Sequence, residues 1–182
     1  MTLVDFEIIE RCKRNRLIEP FDPEMVNPAS IDVRIGDSVL VERKITFDAR
    51  YTQHKQFKEG WAEIDISDRT ADNPYWIQPC EFILVATLET FNMPSDLVGE
   101  FRLKSSRARE GYDNALAVWL DPEWSGSKLT LEIVNNRRLT SIPLYPGLKI
   151  GQAIFHKCNA PDRTYQVTGR YNNDVKVSAS KG

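Results

Sequence analysis

Short segments in which apolar and polar residues alternate recur along most of the chain. In the clearest of them, "KLTLEIV" from Lys128 onward, every second residue is Leu or Ile. A period of two residues is typical of a β-strand with one buried face. Turn residues separate these segments, as in "LYPGLKI", where Pro and Gly suit the central positions of a turn. Many short strands with few helices predict a mainly β sandwich or barrel rather than a fold of βαβ units.

The N-terminal segment, residues 1–20, has a different pattern. Residues 3–17 predict one short helix, with Thr2 as its N-cap. The packed side of this helix is expected to carry Phe6, Ile9 and Cys12.

The chain length of 182 residues is enough for one domain with a proper core, and we expect residues 1–182 to form a single domain. Residues 42–75 are polar and irregular, which predicts a long excursion with one or two short strands. The last residues, from about 175 to 182, predict a mobile tail.

Composition limits the partners that the chain is expected to bind. Hydrophobic residues make up 41% and charged residues 27%, a balance typical of globular proteins, and the net charge is −2. We therefore expect neither nucleic acid nor a membrane as a partner. The three cysteines are widely spaced and the N-terminus lacks the apolar core of a signal peptide. These features predict free thiols and a cytoplasmic location, or the host cytoplasm for a viral protein.

Zinc chemistry is not expected. The chain has two histidines, His54 and His156, and Cys80 is not followed by the second cysteine of a P-C-x-x-C signature. The sequence also contains no G-x-x-x-x-G-K-[ST] phosphate loop, no G-x-G-x-x-G and no G-x-S-x-G. An enzyme of this sequence would work with carboxylate, hydroxyl and guanidinium groups.

A compact basic segment, "KSSRAR" at residues 104–109, follows one of the predicted strands. Adjacent hydroxyls and backbone N–H groups can surround phosphate oxygens while arginines bind them bidentately. A basic, solvated turn explains the same residues equally well.

Two carboxylates lie within thirty residues of this basic segment. Asp121 ends an apolar segment before a proline, which is also what a plain turn would look like. Glu132 lies in the middle of the clearest strand, where a solvated outer face is the simplest explanation. A phosphate-binding segment beside two carboxylates is, however, what a nucleotide-processing site requires.

The order of the motifs carries a resemblance to a known family. The stretches "KSSRAR", "LDPEWSG", "LTLEIVNN" and "LYPGLKIGQAIF" resemble the core of the dCTP deaminase branch of the dUTPase-like superfamily. The flanking stretches "PASIDVRIGD" and "PDRTYQVTGRYNND" resemble the ends of that pattern. The similarity covers most of the chain and is weakest across residues 42–75.

This resemblance implies a distorted jelly-roll of the dUTPase-like type, assembled as a homotrimer with active sites shared between subunits. The implied reaction is hydrolytic deamination of dCTP to dUTP and ammonia, without zinc and with Mg²⁺ bound through the triphosphate. Whether dTTP inhibits the reaction stays open.

The resemblance also implies roles for individual residues. Glu132 matches the general base that activates water for attack at C4 of cytosine. Ser105 and Arg109 match residues that position this water and stabilise the developing charge, and the backbone carbonyl of Ala117 would help to hold it. Asp121 matches the aspartate that faces the deoxyribose. Further contacts to the substrate are expected from Lys104, Ser106, Thr130, Gln152, Tyr165 and Arg170.

The sequence departs from the family pattern at several positions. The spacing from Arg109 to Asp121 is one residue shorter than usual, and Asp174 stands where glutamine is typical. Arg170 replaces the usual lysine. Trp119 is either a buried aromatic or a residue that stacks on a base.

Four alternatives to a deaminase that stops at dUTP stay open, because both Asp121 and Glu132 are present and the departures affect the substrate pocket. The chain could be a bifunctional enzyme that continues to dUMP, or a dUTPase. It could also deaminate a modified dCTP, or be a catalytically silent trimer that senses nucleotides.

Overall fold

The computed structural model describes residues 1–43, 60–115 and 119–181, and these residues form a mainly β fold. The strands are β1 (Ile18–Glu19), β2 (Val26–Asn27), β3 (Ser30–Glu42), β4 (Trp61–Asp65), β5 (Tyr75–Ile77), β6 (Phe82–Asn92), β7 (Leu97–Leu103), β8 (Tyr112–Asn114), β9 (Trp119–Leu120), β10 (Ser125–Asn135), β11 (Ile142–Leu144) and β12 (Lys149–Lys157). The helices are α1 (Asp5–Asn15), α2 (Ser105–Glu110) and α3 (Tyr165–Thr168), with a 3₁₀ turn at Pro23–Met25.

Ten of these strands belong to one curled antiparallel sheet, in which seven follow the order β8-β10-β6-β3-β12-β7-β9. The long strand β3 joins two layers, because its first half pairs with β12 and its second half with β4 and β6. The sheet therefore folds around one large core, and a small second cluster lies on the other face of β3 and β6. The predicted fold class is confirmed.

Gly36 lies where β3 changes partners. A Cβ atom at this position would be 2.9 Å from the carbonyl oxygens of Ala86 and Thr87 in β6. The pairing of β3 with β6 is irregular between Ile35 and Val39. Glycine is therefore required here by the close approach of the two backbones, and this approach lets β3 cross from one layer to the other.

The alternating pattern of β10 holds in the structure. Leu129, Leu131 and Ile133 are buried in the core, while Thr130 and Glu132 point to the other side of the sheet. The predicted one-sided burial of this strand is confirmed.

The N-terminal helix is present, but its cap and its packed side differ from the prediction. Val4, not Thr2, is the N-cap, and its N–H donates to Glu7 Oε2 at 3.1 Å. Phe6 is 66% exposed, whereas Ile8 and Cys12 are buried. Ile8 and Cys12 are four residues apart and share the buried face of the helix. Phe6 is two residues from Ile8, about 200° around the helix axis, and therefore faces outward.

Within the excursion predicted for residues 42–75, the described part contains one short strand, β4, and the first residue of a second, β5. Strand β4 extends the main sheet beside β3, and β5 pairs with β11 in a separate two-stranded sheet. Residues 44–59 of the predicted excursion lie outside the described residues.

The C-terminal residues pack on the sheet, where the sequence predicted a mobile tail. Val177 is 8% exposed and packs against Leu40, Leu84 and Ala86. The backbone N–H of Ser178 donates to Thr130 Oγ1 at 3.4 Å. The burial of Val177 gives this segment a fixed place against β3 and β6.

Cys12, Cys80 and Cys158 are all free thiols, as predicted. Of the helices in the described residues, none has the length and apolar character needed to cross a membrane.

Candidate active site

Glu132 lies at the centre of β10, opposite Leu84 of β6. Its neighbours Leu131 and Ile133 are in the core, so its side chain leaves the sheet on the opposite face. Its Oε2 atom is buried and has no hydrogen-bond partner within residues 1–43, 60–115 and 119–181. A buried, unpaired carboxylate oxygen is costly unless a ligand or a further subunit satisfies it. Glu132 is therefore not the solvated residue of an ordinary outer face.

A cavity of about 490 Å³ opens beside Glu132, a volume within the range of small-molecule sites. Six aromatic side chains from four distant parts of the chain line this cavity, and such rings offer faces on which a base can stack. These aromatic residues are Trp61, Phe82, Trp119, Trp124, Tyr165 and Tyr171. The polar lining residues include Asp121, Lys128, Thr130, Glu132, Asp174 and Ser178.

Burial raises the pKa of Glu132 above its usual value of 4.5, although a hydrogen bond with its own backbone acts in the opposite direction. Leu84 is the cross-strand neighbour of Glu132, and the apolar side chains of Phe82 and Trp61 line the same cavity. A carboxylate with a raised pKa is a stronger base once it is ionised, which suits proton abstraction from water near neutral pH.

A reaction that needs ionised Glu132 should lose activity as the pH falls through this raised pKa. The acid limb of the kcat/KM profile is therefore expected above the usual range of a glutamate. Leu84→Asn, which places a polar group opposite Glu132, should move that limb to lower pH, and Phe82→Leu, which keeps the wall apolar, should leave it in place. Profiles measured between pH 4 and pH 9, on the scale of ordinary carboxyl and imidazole titrations, test this. An unchanged limb in Leu84→Asn would show that burial does not control the pKa.

The structure brings four of the predicted site residues into this cavity: Asp121, Thr130, Glu132 and Tyr165. Asp121 lies in the turn before β10, where the Trp124 N–H donates to its carbonyl oxygen at 3.2 Å. Asp121 and Tyr165 also line a second, adjoining cavity of about 330 Å³. The two carboxylates predicted as a pair from the sequence thus share one cavity.

The remaining predicted residues do not line the cavity. Ser105, Ser106 and Arg109 lie on the exposed helix α2, and Arg170 is exposed.

Lys104 and Gln152 lie together outside the cavity. Lys104 Nζ is 2.6 Å from Asp32 Oδ1, and Gln152 Oε1 accepts from Ser30 Oγ at 3.0 Å. Ala117 lies outside the described residues. Lys104 is the N-cap of α2, so Lys104 and Gln152 form one group with the predicted residues of that helix. One chain therefore presents two separate groups of predicted site residues, the cavity group and the α2 group, with Arg170 in neither.

The structure shows the surroundings of two residues, Trp119 and Asp174, that depart from the family pattern. Trp119 is 58% exposed at the cavity wall, so the prediction of a buried aromatic is wrong. Asp174 also lines the cavity, but its carboxylate accepts from Lys181 Nζ at 2.6 and 2.7 Å and from Ser178 Oγ at 3.2 Å. The C-terminal segment thus carries its own countercharge for this acid.

Sequence reasoning missed Lys128, Trp61 and the C-terminal residues that line the cavity. Lys128 could have been found, because the period of two places it on the same strand face as Thr130 and Glu132. Trp61 and Ser178 carry no such signal, since only long-range pairing of β4 with β3 and the path of the tail bring them here. Among the described residues, no group of three or more His, Cys, Asp or Glu could hold a metal ion.

Fold and site together define a curled antiparallel β protein with a buried carboxylate in an aromatic cavity that suits a base-containing ligand. The dCTP deaminase-like family model matches residues 2–158, and the chain belongs to this enzyme family. The family resemblance inferred from the motifs is confirmed.

Two relatives illustrate this membership. The chain is 36% identical over 163 residues to the "dCTP deaminase, dUMP-forming" of Mycobacterium marinum, covering 88% of this chain and 83% of that protein. It is 33% identical over 196 aligned residues to the enzyme of the same name from Nanoarchaeum equitans, covering 100% and 97%. Both names give dUMP as the product of those enzymes.

A solved structure shares the fold. The 2'-deoxycytidine 5'-triphosphate deaminase of Agrobacterium tumefaciens superposes with a TM-score of 0.65 at 20% identity and covers 86% of this chain. This chain spans 48% of that longer chain. The predicted dUTPase-like jelly-roll is thereby confirmed.

Proposed function

We propose that this protein converts dCTP to dUMP, ammonia and pyrophosphate by two successive hydrolyses in one site. The observation that carries the proposal is the presence of two carboxylates, Glu132 and Asp121, in one cavity walled by aromatic rings. The buried, unpaired Oε2 of Glu132 suits a group that waits for water and a substrate. The names of the relatives support dUMP as the final product.

In the first hydrolysis, Glu132 takes a proton from a water molecule whose oxygen bonds to C4 of cytosine. The same carboxyl then returns the proton to the amino group, the C4–N4 bond breaks, and ammonia leaves. The aromatic walls restrict bulk water around the carboxylate, which strengthens its interaction with the reacting atoms. Ser105, Arg109 and the carbonyl of Ala117 would orient this water and stabilise the negative charge.

In the second hydrolysis, Asp121 orients water for attack on the α-phosphorus of dUTP. The water oxygen bonds to this phosphorus as Asp121 takes a proton from it, the bond to the bridging oxygen breaks, and pyrophosphate leaves with the electron pair of that bond. Mg²⁺ bound through the triphosphate would neutralise phosphate charge, and it needs few protein ligands because phosphate and water oxygens satisfy most of its coordination. Thr130 and Tyr165 would hold the base and sugar in the cavity, and Lys104, Ser106, Gln152 and Arg170 would contact the nucleotide.

The separation of the predicted residues into two groups supports a shared site. The cavity of one subunit would supply Glu132 and Asp121, and helix α2 of a neighbour would supply Ser105 and Arg109. A homotrimer arranges this pairing three times with one kind of contact. Arg109 would then face the reacting centre across the contact and stabilise the negative charge that develops there.

Product analysis tests the proposal. The protein is incubated with dCTP and Mg²⁺, and the nucleotides are separated by anion exchange while ammonia and pyrophosphate are assayed. We expect dUMP, ammonia and pyrophosphate in equal amounts. Accumulation of dUTP alone would indicate a deaminase without the second step, and dUMP from dUTP with inert dCTP would indicate a dUTPase. Tight binding of dCTP without turnover would indicate either a nucleotide sensor or a deaminase whose true substrate is a modified dCTP.

A further inference from the structure

We infer that Asp32 is a positioning residue for a triphosphate-binding cluster, and that Lys149 is a further phosphate-binding residue of that cluster. The cluster, called the Asp32 cluster below, consists of Asn27, Ser30, Asp32, Lys104, Lys149 and Gln152. The inference deepens the proposed function and rests on it, because it assigns the site that would hold the triphosphate.

Asp32 is the centre of this cluster. It lies on β3 and is 6% exposed. Its Oδ1 atom accepts hydrogen bonds from Lys104 Nζ at 2.6 Å and from Asn27 Nδ2 at 2.8 Å. Its Oδ2 atom lies 3.5 Å from Lys149 Nζ. Two lysines from different elements are thereby held at one buried carboxylate.

The sheet register adds Gln152 to the same place. Gln152 of β12 pairs directly with Asp32 of β3, so their side chains share a face of the sheet. Ser30, two residues before Asp32 on that face, donates its hydroxyl to Gln152 Oε1 at 3.0 Å. Lys104 and Gln152, both predicted from the sequence as nucleotide contacts, are thus gathered around one acid that the sequence analysis did not single out.

Some N–H donors of Lys104 and Gln152 are not used within the cluster and can bind an anion. A lysine ammonium has three N–H donors, and the bond from Lys104 to Asp32 uses one of them. The Ser30 hydroxyl occupies the oxygen of the Gln152 amide, which leaves the NH₂ group, and in the part of the chain that the structure describes no acceptor takes it. An oriented ammonium and an oriented amide can both donate to phosphate oxygens.

The charge balance also favours an anion. Two lysines against one carboxylate leave a net charge of +1. Burial by itself would raise the pKa of Asp32, but the hydrogen bonds from Lys104 and Asn27 outweigh it and hold the pKa below the usual value. Asp32 is therefore ionised at neutral pH and keeps both lysines in place without cancelling their combined charge.

The substitution Asp32→Asn tests whether Asp32 positions the two lysines or only adds a negative charge near the phosphate. If Asp32 acted only as a nearby negative charge, its removal would tighten the binding of a phosphate chain. If it positions Lys104 and Lys149, its removal should weaken the binding of inorganic tripolyphosphate and of dCTP roughly tenfold or more, the usual effect of losing a hydrogen bond to a charged group. Binding of deoxycytidine, which has no phosphate, should not change.

Calorimetric titration of each variant with tripolyphosphate, dCTP and deoxycytidine provides the test. Asp37→Asn is the matched control, because it makes the same change at an exposed position on β3 and should bind as the wild type does. Lys149→Gln, which leaves the Asp32–Lys104 pair intact, should weaken tripolyphosphate binding several-fold and reduce its dependence on salt, since one phosphate-binding cation is lost.

Equal or tighter binding of tripolyphosphate by Asp32→Asn would overturn the inference, as would an absence of tripolyphosphate binding by the wild type. If only the proposed function is wrong, the result is different. The variants then still show the expected changes in tripolyphosphate affinity, but the wild-type protein forms no product from dCTP.

Discussion

Glu132→Gln is expected to lower the rate of ammonia release from dCTP by roughly 10²–10⁴-fold, the usual contribution of a positioned general base. Glutamine keeps the shape of the side chain but cannot accept a proton from water. The measurement is an ammonia assay with anion-exchange separation of the nucleotides. Glu63→Gln, the same change on an exposed position of β4, should retain full activity.

The same variant distinguishes a catalytic role from a structural one. Because Oε2 of Glu132 is buried without a partner in the described residues, replacing the acid with a neutral amide should leave the melting temperature unchanged or raise it. Loss of activity with a clearly lower melting temperature would indicate that Glu132 supports the fold. Full activity in Glu132→Gln would remove it from the mechanism.

Mixing two inactive variants is expected to restore activity. In the proposed homotrimer, Glu132→Gln and Arg109→Ala would each disable one side of the shared site, so each variant should be inactive on its own. After dissociation and random reassembly of equal amounts, about one quarter of the sites should combine an intact Glu132 with an intact Arg109 from a neighbour, and activity should return to about that fraction.

A second mixture is the control for this experiment. Ser105→Ala and Arg109→Ala both lie on α2, so every site that takes this helix from one subunit lacks one of the two groups. This mixture should gain no activity. Restoration in both mixtures, or in neither, would contradict a site built from the cavity of one subunit and α2 of the next.

The sequence motifs were sufficient to identify the family because each of them is a short, continuous segment of the chain. "KSSRAR", "LDPEWSG" and "LTLEIV" each lie within one element or turn, so their residue types and spacing are visible in the sequence alone. The corrections concern surfaces that depend on distant contacts. Phe6 points outward because of how α1 meets the sheet, and the tail is packed because Val177 finds an apolar site on β6.

The alternation in β10 by itself determined that Leu131 and Ile133 share one face and that Glu132 lies on the other, because a strand reverses its side chains at every residue. Only the tertiary structure decided what covers that second face. Trp61 reaches it because β4 pairs with β3, and the C-terminal segment covers it from more than forty residues away in sequence. In the same way, Asp32 became the centre of a cluster only when β3, β7 and β12 were placed side by side. Period and spacing are local properties of a chain, whereas burial and charge environment arise from residues that folding brings together.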